Sequence, residues 1–173
     1  AMEGGGEMHL GVSVAAADVD GDGHCDVVAG GEHINGLTGR NGDGILEVFR
    51  GRAAGDDGAG GIHLEPSRII AGLTERERVG SFALFVAAGD VTGDGRAEIL
   101  ASQYRYEIDD EGDDNEGAVR MYLGGPLPDV AERVEAVGVS DWDWIGDNRQ
   151  DQAGWHVAVG DVDGDGLGDV VAC

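Results

Sequence analysis

The stretch Asp18-Val19-Asp20-Gly21-Asp22-Gly23-His24-Cys25-Asp26 decides how this chain of 173 residues is organised. It recurs as Asp90-Val91-Thr92-Gly93-Asp94-Gly95-Arg96-Ala97-Glu98 and as Asp161-Val162-Asp163-Gly164-Asp165-Gly166-Leu167-Gly168-Asp169. The three copies start at residues 18, 90 and 161, so the intervals are 72 and 71 residues. A fixed period of this length indicates a repeat protein, in which each copy belongs to one structural unit.

Short apolar segments flank each of these loops. Those before the loops are Leu10-Gly11-Val12-Ser13-Val14-Ala15, Phe82-Ala83-Leu84-Phe85-Val86-Ala87 and Ala153-Gly154-Trp155-His156-Val157-Ala158. Those after them are Val27-Val28-Ala29, Ile99-Leu100-Ala101 and Val170-Val171-Ala172. The first two units continue with Gly44–Phe49 and Gly117–Tyr122, and then with weaker segments around residues 62–70 and 131–137. Runs this short, bounded by turn residues, predict strands rather than helices.

Each unit is therefore expected to contain four strands, with the acidic loop joining the first strand to the second. Four-stranded units at a fixed period are typical of β-propeller blades. We predict an all-β fold with about two and a half blades in a single repeat array over residues 1–173. Blade 1 spans 10–72, blade 2 spans 80–138, and the first half of blade 3 spans 153–173. We expect such an arc to be part of a longer chain or to be completed by further copies of itself.

The loops carry acidic side chains at alternate positions. Calcium takes six to eight oxygen ligands at about 2.3–2.6 Å, and alternate carboxylates of a tight loop can point at one ion. Positions 1, 3, 5 and 9 would bind through side chains and position 7 through its carbonyl. The predicted ligands of about three ions are Asp18, Asp20, Asp22, His24 and Asp26; Asp90, Thr92, Asp94, Arg96 and Glu98; and Asp161, Asp163, Asp165, Leu167 and Asp169. The second site should be the weakest, because Thr92 replaces a carboxylate and Glu98 is longer than Asp.

Two other interpretations of the loops explain less. An EF-hand loop also begins with alternating acids, but it needs a bidentate acid at position 12, where this chain has Ala29, Ala101 and Ala172. A merely polar turn accounts for Asp and Gly, but not for acids at the same offsets three times. The sequence therefore favours calcium.

The charge of the chain excludes several classes of partner. Thirty-five acidic residues against 11 basic ones give a net charge of −24, which would repel nucleic acid and anionic membrane surfaces. Adaptation to high salt could contribute to this acidity but would not produce its regular spacing. The sequence has no apolar run near the ~20 residues that a membrane span requires, so we expect no membrane insertion. All 11 basic residues are Arg, and this bias, together with the richness in Ala and Gly, indicates a GC-rich genome of a bacterium or an archaeon.

The remaining candidate residues are weaker signals. Trp142 and Trp144 would share one face of a strand, either as a sugar-stacking platform or, in the interpretation we favour, as caps of the core. Tyr104, Arg105 and Tyr106 are the next candidates for a ligand surface, and the acidic run 107–116 is expected to be a solvated loop. The five histidines have no nucleophile pattern beside them, so we expect a protein that is not an enzyme.

The loops and their preceding strands resemble the FG-GAP repeats of integrin α-subunit propellers and their bacterial relatives. Leu10–Ala15 before Asp18 matches that pattern, whereas Ala83 replaces its glycine and Ala153 its aromatic residue. The resemblance implies calcium loops on one face and a protein or glycan ligand on the other. It predicts an extracellular or cell-envelope scaffold for adhesion. Alternatives are a calcium-stabilised lectin and a non-catalytic module of a secreted polysaccharide-degrading enzyme.

Overall fold

The computed structural model describes residues 8–33, 43–52, 61–62, 66–71, 82–106, 115–128, 132–135 and 140–173. These residues form strands and no helix, so the prediction of an all-β fold is confirmed. No described segment is a helix of the length and apolarity that crossing a membrane requires. The strands are β1 (Met8–Ala17), β2 (Asp26–His33), β3 (Asp43–Phe49), β4 (Gly51–Arg52), β5 (Gly61–Ile62), β6 (Arg68–Ala71), β7 (Val86–Gly89), β8 (Glu98–Gln103), β9 (Ala118–Tyr122), β10 (Glu132–Glu135), β11 (Trp142–Ile145), β12 (Val157–Gly160) and β13 (Asp169–Ala172).

The strands form three successive sheets and one small ribbon. The first sheet has the order β1-β2-β3-β6-β10, antiparallel except for the parallel pair β6–β10. The second sheet has the order β7-β8-β9-β11 and is antiparallel throughout. The third is the hairpin β12–β13, and β4 pairs with β5 in the ribbon. Each acidic loop connects the first two strands of its sheet, as the sequence predicts.

The fourth strand of the second unit is not where the sequence placed it. We predicted it around residues 131–137, but β10 (Glu132–Glu135) pairs with β6 of the first sheet. The second sheet is completed instead by β11 (Trp142–Ile145), which pairs with β9. Both segments are four residues long, and strand propensity cannot say which neighbour a strand will pair with, because pairing depends on packing and register.

Two of the first strands also begin later than predicted. The segment 82–85 forms a turn, and β7 starts at Val86; in the third unit β12 starts at Val157. Ala83 has a φ of 53° and Gly154 a φ of 81°, values outside the extended region. Gly11 occupies the same place in the first unit and has a φ of 89°, but β1 continues through it with a register shift between Leu10 and Ser13, so the later start is confined to the second and third units.

The sheets stack face to face, and the core lies between them. Val28, Leu46 and Val48 of the first sheet share one buried cluster with Ile99 and Tyr122 of the second. A second cluster joins the second sheet to the hairpin. Its buried members are Ala87, Leu100 and Val119, and the partly buried residues against it are Met121, Val157, Val159, Val170 and Ala172. Residues that alternate along β8 and β9 thus face opposite neighbours, so both faces of these strands are buried.

The same contacts recur at both junctions between units. The Ala97 N–H donates to the Asp18 carbonyl and the Gly168 N–H donates to the Asp90 carbonyl, each at 2.7 Å. These bonds join position 8 of one loop to position 1 of the preceding loop. Consecutive loops are therefore attached to one another by the same backbone bond.

Candidate metal sites

The three loops share one hydrogen-bonded frame, built on the Asp at position 1. In the first loop, Asp18 Oδ1 accepts the Gly21 N–H at 2.8 Å and Asp18 Oδ2 accepts the Gly23 N–H at 2.8 Å. Asp90 makes the equivalent bonds to Gly93 and Gly95 at 2.6 and 3.0 Å. Asp161 does so to Gly164 and Gly166 at 2.7 and 3.0 Å. These bonds curl the backbone around the first carboxylate.

The glycines at positions 4 and 6 make this curl feasible. Their φ values are 76° and 88° in the first loop, 76° and 84° in the second, and 83° and 92° in the third. Such values are costly for a residue with a Cβ atom but not for glycine. Glycine occupies both positions in all three copies of the loop, as this backbone conformation favours.

The acid at position 9 closes each loop from the second strand. Asp26, Glu98 and Asp169 each accept the N–H of the residue at position 2, at 2.8 Å in all three loops. Asp26 also accepts the Gly51 N–H at 2.8 Å and is fully buried. Burial raises the pKa of the Asp26 carboxyl above its usual value, and Asp20 and Asp22 raise it further, whereas the backbone donors Gly51 and Val19 lower it.

Carboxylate oxygens converge in the first and third loops. One oxygen each from Asp18, Asp20 and Asp26 lies within 4.8 Å of the others. The third loop brings together Asp161, Asp163 and Asp169 in the same way. Positions 1, 3 and 9 thus form the converging set, whereas Asp22 and Asp165 at position 5 lie outside it among the described residues. The Oδ1 atoms of these two residues accept the N–H at position 7, from His24 and Leu167, at 2.9 and 2.8 Å.

The second loop keeps the frame but has fewer charges. Glu98 is fully buried, and its Oε2 accepts the N–H groups of both Val91 and Thr92, at 2.8 and 3.0 Å. The Thr92 hydroxyl donates to Glu98 Oε1 at 3.4 Å. The extra methylene of Glu98 therefore lets it reach two backbone donors and one hydroxyl. At position 3 this loop offers a hydroxyl oxygen in place of a carboxylate.

The converging sets suit a hard divalent cation. All of the side-chain atoms in these sets that could bind a metal are oxygens, the ligand type that calcium prefers, and no sulfur or imidazole belongs to either set.

The first loop already holds a positive group, because Arg50 lies 2.9 Å from Asp20 Oδ2 and 3.2 Å from Asp22 Oδ2. Sequence reasoning missed Arg50. Alignment of the repeats could have pointed to it, because the residue after the third strand is Arg50 in the first unit and Leu123 in the second.

The ends of the strands opposite the loops carry aromatic and polar side chains. Tyr104 is buried and packs edge-on against Trp155, with ring centroids 4.5 Å apart, and Arg105 lies over the Tyr104 ring. Tyr106 lies under the guanidinium of buried Arg120. Of the three predicted ligand-surface residues, Tyr104 and Tyr106 are thus engaged within the protein. Arg105 is the one of the three that is exposed.

Buried Arg120 is also held by polar partners that the sequence did not reveal. Its Nε donates to Gln103 Oε1 at 2.7 Å, and its Nη1 pairs with Asp143 Oδ2 at 2.9 Å. The pairing of β9 with β11 places Asp143 directly opposite Arg120. This network connects three strands of the second sheet.

Trp142 and Trp144 lie on β11 with 45% and 42% of their surface exposed. They alternate with Asp143, so both project from the face opposite to the Arg120 pair. The favoured interpretation, that they cap the core, is therefore wrong: neither is buried. Predicted residues within 107–114 lie outside the described part of the chain.

Comparison of the chain with models of known protein families found no match, and comparison with curated proteins found none either.

Proposed function

We propose that the chain is a calcium-binding repeat module whose loops stabilise an all-β interaction scaffold of the β-propeller type. The observation that carries this proposal is the triple recurrence of one loop frame, with carboxylates converging in two of the copies. We assign the chain to the FG-GAP repeats on the motifs quoted above.

The regular stacking of the units supports the propeller part of the proposal. The loop-to-loop bonds from Ala97 to Asp18 and from Gly168 to Asp90 repeat the same step twice. A Cβ atom at Gly44 would collide with the Phe82 backbone, and one at Gly117 with the Ala153 backbone, so the opposite ends also approach in the same way. A constant step between successive antiparallel sheets is what a propeller requires.

Calcium would act here as a structural ligand. Carboxylates at positions 1, 3 and 9 repel one another in the absence of a cation, and a bound ion converts that repulsion into attraction. The loops would then hold the strands in place while the opposite end, with Trp155 and Arg105, faces a protein or glycan. We propose an adhesion role outside the cell or at its envelope, with a module of a secreted enzyme as the alternative setting.

Calorimetric titration of chelator-treated protein with calcium tests the metal assignment. We expect three sites, with the second loop weakest, and affinities of about 10⁻⁴–10⁻³ M, as in extracellular calcium modules. The variant Asp163→Asn should remove the third-loop site, whereas Asp147→Asn, at an exposed position outside all three loops, should not. A stoichiometry of zero or one would contradict the proposal.

Glycan binding is a second candidate, favoured by the exposure of three indoles. Trp142, Trp144 and Trp155 each expose between 42% and 45% of their surface, and flat aromatic faces stack on sugar rings. A glycan array with wild type and with the double variant Trp142→Ala/Trp144→Ala would decide. Binding that the double variant loses would favour a lectin, and an array without signal would leave the protein-binding scaffold as the better proposal.

A further inference from the structure

Arg50 lies at the carboxylates of the first loop, although it is 24 residues beyond Asp26 in the sequence. It directly follows β3, whose pairing with β2 brings Phe49 opposite Val27 at the end of the loop. Its Nε is 2.9 Å from Asp20 Oδ2, and its Nη2 donates to Asp22 Oδ2 at 3.2 Å. The side chain of Asp20 is only 3% exposed and that of Arg50 28%. This pair is thus partly removed from water, where an ion pair is screened less than on an open surface.

The guanidinium faces the oxygens that the backbone leaves available. Asp20 Oδ1 accepts the Asp22 N–H at 3.2 Å, and Asp22 Oδ1 accepts the His24 N–H at 2.9 Å. In both residues the remaining oxygen is Oδ2, and Oδ2 is the atom nearest Arg50. Asp20 belongs to the converging set, so a cation held by that set would lie close to the Arg50 guanidinium, and two positive groups beside one carboxylate repel each other.

The second unit lacks this arrangement. Its third strand ends at Tyr122, and the next residue, which matches Arg50, is Leu123. Gly51 and Gly124 follow in the two units, and a Cβ atom at either would press on the carbonyl at position 8 of its own loop, from Cys25 or Ala97. The backbone therefore runs past both loops in the same way, and the two units differ in the side chain presented there.

We propose that Arg50 is an internal counter-ion of the first loop, which calcium must displace in order to bind. This inference rests on the proposed function, because it concerns the same loop. Without calcium, the guanidinium offsets the repulsion between Asp20 and Asp22 and holds the loop in shape. With calcium, Arg50 has to withdraw from Asp20, the one of its two partners that belongs to the converging set. The first loop therefore keeps its shape without metal, and binds calcium more weakly than its three converging carboxylates alone would.

The variant Arg50→Leu tests the proposal, since it gives the first unit the residue of the second. Calorimetric titration should show the first-loop affinity for calcium rising by roughly ten- to a hundredfold, the equivalent of about one charge-assisted hydrogen bond. The melting temperature in EDTA should fall, because Asp20 and Asp22 lose their counter-ion. If Arg50 merely positioned the ligands, its replacement would lower both the calcium affinity and the melting temperature in EDTA.

Three further variants control this experiment. Arg105→Leu removes the same charge from the opposite end of the second sheet and should leave every calcium affinity unchanged. Leu123→Arg supplies a guanidinium beside the second loop and should weaken calcium binding there. Arg50→Gln, which retains hydrogen-bond donors without the charge, should reproduce the gain in affinity even if the leucine variant folds poorly.

Two failures can be told apart. If wild type binds calcium but Arg50→Leu and Arg50→Gln bind it with unchanged or lower affinity, the counter-ion proposal is overturned while the calcium sites stand. If neither wild type nor the variants bind calcium, the proposed function fails and the counter-ion proposal with it.

Discussion

The loops of the first and second repeat units have the same backbone conformation but differ in charge. Both loops curl around an Asp at position 1, and both are closed by an acid at position 9 that accepts the N–H at position 2. At position 3, however, Asp20 stands against Thr92, and after the third strand Arg50 stands against Leu123. The comparison separates two roles within one motif. Positions 1, 4, 6 and 9 determine the shape of the loop, whereas position 3, which differs between the two loops, changes how strongly the loop attracts a cation.

Of the changes we predict, removal of calcium should have the largest effect on the stability of the protein. A ligand that binds only the folded state adds about 2.7 kcal/mol of stability per site at a hundredfold excess over its Kd. Unfolding should therefore occur at a markedly lower temperature in EDTA than in excess calcium. Scanning calorimetry of wild type, Asp20→Asn and the control Asp147→Asn measures this. An identical melting temperature in both buffers would show that the loops are not structural calcium sites.

Replacing the shape-determining acid should destabilise the protein even without metal. Asp90→Ala removes the acceptor of the Gly93 and Gly95 N–H groups and should cost about 1–3 kcal/mol in EDTA. Asp94→Ala removes the acceptor of a single bond, from the Arg96 N–H, and should cost less. Chemical denaturation of both variants in EDTA gives the two values. Equal losses of stability in the two variants would contradict this expectation, because position 5 would then support the shape of the loop as much as position 1 does.

Much of this frame could be predicted from the sequence, since the glycines and acids of the loops are local signals. Turn chemistry and ligand spacing operate over a few residues, and so the positive φ values at Gly21 and Gly23 followed directly. The place of Arg50 could not be predicted, because it depends on the register of β2 with β3. The mistaken fourth strand has the same cause, since Glu132–Glu135 and Trp142–Ile145 are distinguished by packing between sheets rather than by their own residues.

Restoring the missing charge should make the second loop resemble the first. Thr92→Asp adds a carboxylate at position 3, and we expect about tenfold tighter calcium binding there, a change of about 1.4 kcal/mol. Calcium titration of this variant measures the gain, with Thr92→Asn as the uncharged control. Stability in EDTA should fall slightly, because the new carboxylate lies beside Glu98 and the hydroxyl bond at 3.4 Å is lost. Unchanged affinity would mean that position 3 does not contact the ion.

The smallest effect concerns the middle of the third strand, where Glu47 in the first unit matches Arg120 in the second. Glu47 is 7% exposed, and burial raises the pKa of its carboxyl above the ordinary value of 4.5. The folded state then holds a proton that the unfolded chain has already released, so stability falls as the pH rises from 4.5 through the raised pKa. Glu47→Gln removes this titration, and its unfolding free energy should exceed that of wild type at pH 7 but not at about pH 3.5, where the carboxyl is protonated in both states. Because a tenfold change in the acid dissociation constant corresponds to about 1.4 kcal/mol, the change in the stability difference between the two proteins from about pH 3.5 to pH 7 measures how far folding raises the pKa of Glu47. A variant less stable than wild type at pH 7 would show that the ionised carboxylate is stabilised by a partner, as Arg120 is by Asp143.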